Sequence, residues 1–368
     1  MESSLLPLSL AGPGNQFCGI KEGLIIAHIL NLPMIVPSVI PHFTTRTKSR
    51  TSYSFEDTFD FDFFVDNCSS MLNVNILSSE FASEISRRLV LMRSDERSTK
   101  QALEYYNYFA DAMNLVDSAD HLNSRDNGCG FLRTQSDVHQ FAAKHFMDDS
   151  HTSLIGIFNS IKLGGIKLGD DLSICAKNHC LNCGPSEEFS GIYSKVQATF
   201  RFSRWIRDFG DRYIERIFDG RPFNAFHLRI CDVPRGRKFE DCYSGFTENQ
   251  VVDILMNLQE EDQLRSSDIF IASPPQLFDK VSGLTKLLDR PFNFFSSSSL
   301  DAYQSSLVEQ YICTKSHRFV RSYTNTPDQP RKAHTRSSWA ELVEGMRIAD
   351  LGERASITFD DLVHSFGD

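Results

Sequence analysis

The sequence predicts an α/β protein of two domains, each a parallel sheet wound by helices. Three observations point there. At 368 residues the chain exceeds the roughly 250–300 residues at which a single core stops growing. Short apolar runs alternate with stretches of helical periodicity from one end to the other. No self-similarity recurs at a spacing of roughly 20–50 residues, which removes solenoids and propellers. The composition, 41% hydrophobic and 23% charged, is that of a globular chain. A formal charge of −10 argues against a general nucleic-acid binder, whose footprint is basic, while leaving room for a local basic pocket that holds a small anion.

The elements follow in order. Leu5–Leu10 reads as a strand, AGPGNQ as a Gly-rich turn, Asn15–Leu30 as a helix and Met34–Val36 as a second strand bracketed by Pro33 and Pro37. This is a βαβ unit at the head of a doubly wound sheet. Thr44–Ser54 is a polar loop. FEDTFDFDFFVDN (Phe55–Asn67) alternates aromatics with carboxylates and reads as alternating burial. Leu89–Met92 is a strand candidate, Gln101–Val116 and Val138–Met147 are helical, and Thr152–Phe158 fits a strand or a short helix.

A long helix is expected from Ile192 to Phe218, ended by Gly220-Arg221-Pro222. Beyond it, NAFHLRI (Asn224–Ile230), Asp268–Ser273, PFNFFS and Arg318–Ser322 read as strands. Helices are expected at Thr247–Gln259, after Pro274-Pro275, and at Leu300–Thr314. The expected domains are residues 1–195, with a Cys-bearing insertion near 123–191, and residues 196–345. Residues 346–368 form a tail or a helix packing back. A cleft between two such domains is a natural place for a nucleotide-bearing ligand.

Functional loops of α/β sheets lie just past strand ends, and three segments sit there. In GPGNQF, Gly12 and Gly14 permit close ligand approach, and the N–H groups from Gly14 to Phe17 open a helix that can face a phosphate. The stretch is neither a dinucleotide fingerprint, since Phe17 stands at the third glycine, nor a lysine-bearing P-loop. As a bare glycine turn it would carry no chemistry.

In HLRI, alternation puts His227 and Arg229 on one strand face. The planar fork of Arg229 suits a pyrophosphate, and it would stabilise charge on a departing nucleoside diphosphate. The blander alternative pairs Arg229 with Asp232 or Glu240. In FVRSYTNT a strand runs into a hydroxyl-rich turn that fits phosphate hydrogen bonding.

Other chemistries fit less well. No G-x-S-x-G elbow occurs. Asp60-x-Asp62 has the form of a metal-dependent sugar-nucleotide site, but its aromatic neighbours favour a packing role. Cys175, Cys180 and Cys183 form C-x4-C-x2-C around His179, a partial metal set for which Cys129 and Cys242 are the loose further ligands; local disulfides or free thiols are the alternative. Glu22 is expected to be solvated. The sequon Asn67-Cys68-Ser69 does not settle the compartment.

Together these segments resemble the GDP-fucose protein O-fucosyltransferase family. AGPGNQ resembles its opening loop, GLIIAHILNLPMIVP its first helix and strand, SFEDTFDFDFFV its Asp-containing turn before an aromatic run, HLRI its His-x-Arg strand, and LVEQYICTKSHRFVRSYTNT its late helix, strand and phosphate loop. Cys242 sits where a family cysteine is often found. The order is the family's, from about residue 5 to residue 336.

The resemblance implies a GT-B fold, two Rossmann-like domains with donor GDP-fucose held mainly by the second and acceptor engaged by the first. It implies inverting transfer to a protein Ser/Thr hydroxyl without a metal ion or other cofactor. A glycan acceptor, another sugar nucleotide or a catalytically silent binder are the alternatives. Arg229 would bind the pyrophosphate and stabilise departing GDP, with His227 beside it. Asn15, flanked by Gly12 and Gly14, would touch the donor from the first domain, and Thr326 with Asn325 would hold phosphate.

Gly12 stands where one family branch has an arginine, and no glutamate of the other branch is near Pro13. Asp232 is the candidate base, the alternative being proton uptake by GDP itself. The family implies the ER or Golgi lumen. No apolar run approaches the ~18 residues of a membrane span, and SLLPLSL (Ser4–Leu10) is too short for a leader core. A complete chain would therefore be cytoplasmic.

Overall fold

The computed structural model describes residues 4–7, 13–40, 52–84, 87–89, 134–145, 153–155, 187–227, 268–273, 292–321, 338–351 and 356–358. The chain divides into two compact units, Met1–Ser203 and Arg204–Asp368. The described elements are numbered below in chain order.

The first unit holds β1 (Leu5–Leu6), α1 (Pro13–Leu30), β2 (Met34–Ile35), α2 (Phe55–Thr58), α3 (Phe61–Leu72), β3 (Ile76–Leu77), β4 (Arg87–Leu89), α4 (Gln135–His145), β5 (Ser153–Ile155) and α5 (Glu187–Ala198). Its sheet is parallel, in the order β3-β2-β1-β5-β4, so β1 is central. The head of the chain is the expected βαβ unit: Leu5 pairs with Met34, and α1 crosses between them. That crossing is close. A Cβ on Gly23 would lie 2.6 Å from Cβ of Pro7 and 3.3 Å from Sδ of Met34, so only glycine lets α1 pack here. Close helix–strand packing is the third glycine's job in dinucleotide-binding folds. Here Gly23 does it from further along the helix.

The carboxylate–aromatic run corrects the expected alternation. It folds as two helices. Ser54 and Asp57 form a capping box at the start of α2. The Asp60 side chain accepts from the Phe63 N–H to cap α3, and Asn73 closes that helix in the left-handed region at φ 53°. The apolar residues thereby gain helical spacing, and Phe64, Cys68 and Leu72 face inward. Phe59 sits at the centre of an aromatic cluster, with ring centroids 5.0 Å from Phe17, 5.1 Å from Phe55 and 5.1 Å from Phe200.

The same cluster explains why the long helix expected over 192–218 is two helices. α5 ends at Ala198, where the Thr199 hydroxyl turns back to donate to the Val196 carbonyl. The chain then runs extended, with Phe59 and Phe202 forming an antiparallel bridge and Ser203 N–H donating to Thr58 O. Burying Phe200 and Phe202 among the other rings outweighs continuing the helix through residues 199–203.

The second unit holds α6 (Arg204–Phe218), β6 (Phe223–His227), β7 (Asp268–Ala272), β8 (Phe292–Asn293), α7 (Ala302–Lys315), β9 (Phe319–Arg321), α8 (Ser338–Leu351) and β10 (Ser356–Thr358). Its sheet is also parallel, in the order β10-β9-β6-β7-β8. α6 ends where the sequence places its stop, through Asp219 and Gly220 at φ 53° and 69°. Its partner is α7, and the contact requires Gly210: a Cβ there would fall 2.3 Å from Cδ1 of Tyr311.

The segment expected as a tail or a helix packing back includes the end of α8 and all of β10. α8 packs on α7, and β10 pairs with β9 at the sheet edge. The buried guanidinium of Arg347 in α8 donates to the carbonyls of Cys313, Thr314, Ser316 and His317, capping the α7 C-terminus. Among the described residues no helix is long and apolar enough to cross a membrane.

Candidate functional site

The second sheet has a defined switch point. From β6 the chain moves one way to β7 and β8, and from β9 it moves the other way to β10. Ligands of open α/β sheets bind in the crevice outside the strand C-termini at such a point. β6 and β9 are adjacent, with Ala225 opposite Phe319, Phe226 opposite Val320 and His227 opposite Arg321. His227 and Arg321, the described residues of the HLRI and RSYTNT segments chosen separately from sequence, therefore lie side by side at one level.

His227 is the described residue that marks this place. It is buried at the end of β6, with Ala272 of β7 opposite it on the other side. Its imidazole lies almost parallel to the Trp339 indole, centroids 4.4 Å apart and planes 11° apart. Arg229, Asp232, Asn325 and Thr326 lie outside the described residues, as do Gly12 and the cysteine cluster with Cys129 and Cys242.

A buried acid here had no sequence signal. Glu309 of α7 is 7% exposed, and its carboxylate accepts the backbone N–H of Ser273, the residue that follows β7. Burial pushes its carboxyl well above the usual carboxylate range, against the lowering effect of that hydrogen bond. The carboxyl is placed behind the strand end next to β6, on the Ser273 N–H. In sequence it is one polar residue in a helix; only its neighbours make it an acid with a raised pKa.

In the first unit the opening stretch divides its labour. Gly14 is in helical conformation within the first turn of α1, so its value there is not a positive φ. Asn15 is in the same turn, at the N-terminus of the helix that follows the central strand. Gln16, its neighbour in the amide pair, is structural: its side chain donates to Ile40 O at 2.8 Å and accepts from Ile40 N at 2.9 Å. Glu22, expected in solvent, is buried at 3% exposure beside Lys21, whose amino group donates to Gln197 Oε1 at 2.6 Å. That correction follows from α5 covering this face of α1.

Asp60 of the D-x-D pair caps α3 and takes a 2.7 Å ion pair from Arg201, whose guanidinium lies 3.9 Å from the Phe63 ring centroid. Among the described residues no group of three or more His, Cys, Asp or Glu side chains gathers as a metal site. Cys68 and Cys313 are free thiols, and burial pushes Cys68 up to about 12. The sequon Asn67 lies within α3.

Two parallel α/β units, the second with a topological switch point at a His-bearing strand end, are the fold class of the GT-B glycosyltransferases. The GDP-fucose protein O-fucosyltransferase model matches residues 12–328, and the chain belongs to that family. It is a glycosyltransferase that takes fucose from GDP-fucose. Its fold is similar to that of POFUT1 in complex with GDP-fucose, at 14% identity and a TM-score of 0.63, covering 97% of this chain and 98% of that one. POFUT1 in complex with GDP is similar at 16% identity and a TM-score of 0.60, with 97% and 98% covered. No curated protein matches the chain.

Proposed function

We propose that this enzyme transfers fucose with inversion to a Ser or Thr hydroxyl of a protein, without a metal ion. The bond from the sugar's anomeric carbon to the diphosphate breaks as the acceptor oxygen bonds the opposite face. Charge accumulates on the leaving GDP. The forked guanidinium of Arg229 would take that charge, with His227 beside it and the Asn325–Thr326 turn holding phosphate oxygens. The acceptor proton would pass to Asp232 or to the departing diphosphate. Asn15, with the loop around Gly12 and Gly14, would contact the donor from the first unit.

The observation that supports this reading is the pairing of His227 with Arg321 at the switch point of the second sheet. Its metal-free part is supported by the engagement of Asp60 with the α3 N-terminus and Arg201. A protein acceptor is the acceptor class in the name of the family.

Calorimetry against GDP, GDP-fucose and UDP tests the donor. GDP and GDP-fucose should bind and UDP should not, and Arg229→Ala should weaken GDP about 100-fold, as expected for loss of a charge-assisted phosphate contact. A native chain that ignores GDP would sink the reading. Turnover should be unchanged by EDTA. Binding without transfer to any protein or glycan acceptor would make the chain a sugar-nucleotide binder instead.

A further inference from the structure

We infer that Trp339 is the positioning residue for His227, so that the C-terminal helix α8 sets the orientation of the imidazole at the donor crevice. The inference rests on the donor reading above. It begins with the stack itself: two flat rings 4.4 Å apart and 11° from parallel, both largely withdrawn from water. A histidine side chain has a broad, roughly two-fold torsion at its ring, so the rotamer alone fixes its plane poorly. An indole face against it restricts that rotation. If the imidazole is protonated beside a diphosphate, the same face stabilises the cation.

A positioning surface must itself be held, and Trp339 is held from two sides. Its indole N–H donates to Ser306 Oγ at 2.8 Å. Its carbonyl accepts from the side-chain amide of Gln310 at 3.4 Å. Both partners belong to α7, and Arg347, two turns further along α8, ties the opposite end of that helix through four backbone carbonyls. α7 and α8 are thereby fixed to each other at both ends, with Trp339 at the end that faces the strand terminus. A tryptophan used only for packing would need neither the parallel geometry nor a dedicated hydrogen-bond partner.

The test compares Trp339→Phe, which keeps a flat ring, with Trp339→Leu, which fills space without one. GDP affinity and kcat are measured in the full chain. Trp339→Phe should stay within about threefold of native, and Trp339→Leu should lose about tenfold in GDP affinity or kcat, for a stacked polar contact of this size. A folded Trp339→Leu protein with native affinity and kcat overturns the inference.

The direct signature is magnetic. In native protein with labelled histidine, the His227 ring protons, assigned by their absence in His227→Asn, should lie upfield under the indole ring current and move when GDP is added. His227 resonances at the unshifted position, or indifferent to bound GDP, overturn it even where Trp339→Leu fails to fold. Failure of the native chain to bind GDP is a different result, and it removes the donor reading rather than the stack.

Discussion

The two units use one architecture for different ends. Each is a five-stranded parallel sheet, and each has a functional segment expected just past a central strand. In the first, the polar groups near that segment are committed to holding helices down. Gln16 clasps Ile40, Lys21 reaches Gln197, and Asp60 binds Arg201 below the Phe59 cluster. In the second, buried polar groups gather about the strand ends: His227 closes β6, Ser273 follows β7, and Glu309 reaches Ser273 from α7. Burying polar groups is costly. Where the cost secures packing, the residues are scaffold; where it collects at a switch point, they form a site. The sheet alone does not tell these apart. The partners do.

This contrast can be broken. Phe59→Ala should produce the largest effect, about 3–5 kcal/mol of lost stability from a cavity in a fully buried ring cluster. In protein that remains folded, GDP affinity should be unchanged. A loss of affinity matching the loss of stability would end the distinction between scaffold and site. Denaturant unfolding with parallel calorimetry decides it.

Arg347→Leu comes next, with roughly 3 kcal/mol expected from uncapping α7 and leaving its last carbonyls buried without donors. This substitution should also weaken GDP binding, because it loosens the helix pair that holds Trp339. A stability loss with no binding loss would confine α8 to scaffold.

Glu309→Gln sharpens the comparison through pH. The folded carboxyl titrates well above its unfolded value, so its contribution is fully present below the unfolded pKa and is lost as pH rises toward the folded one. Native stability should therefore decline more steeply than that of the Gln variant as pH rises above the ordinary carboxylate range. Equal slopes in denaturant titrations would show that folding does not raise this carboxyl.

Asp60→Asn should do least, about 1 kcal/mol or less, because Arg201 is 41% exposed and solvent screens the pair. Abolished turnover in a folded Asp60→Asn protein would return the D-x-D pair to the chemistry.

Much of the fold was legible. Proline brackets around Met34–Ile35, the glycine stop after Phe218 and the β-rich runs at Phe223 and Asp268 are local signals, and the elements stand where those signals put them. The errors have local causes too. Alternating Phe and Asp from 59 to 64 satisfies strand periodicity, and only the caps at Ser54 and Asp60 turn it helical. Helical spacing from 192 to 218 hides the break that Phe200 and Phe202 impose by joining a distant cluster. β10 is three residues, too short to carry a pattern. Of the candidate site, His227 was legible as a polar residue on an apolar strand, whereas Glu309 looked like an ordinary helix residue and Trp339 carried no signal.

The sequence by itself determined the alternation of strands and helices, the α/β class and the family, because hydrophobic period, turn residues and motif order are written along the chain. Tertiary structure decided which strand ends are neighbours, which of the two amides in AGPGNQ is a clasp, and what stands behind His227. Those outcomes depend on hydrogen bonds and ring contacts between segments far apart in the chain, and no local spacing encodes them.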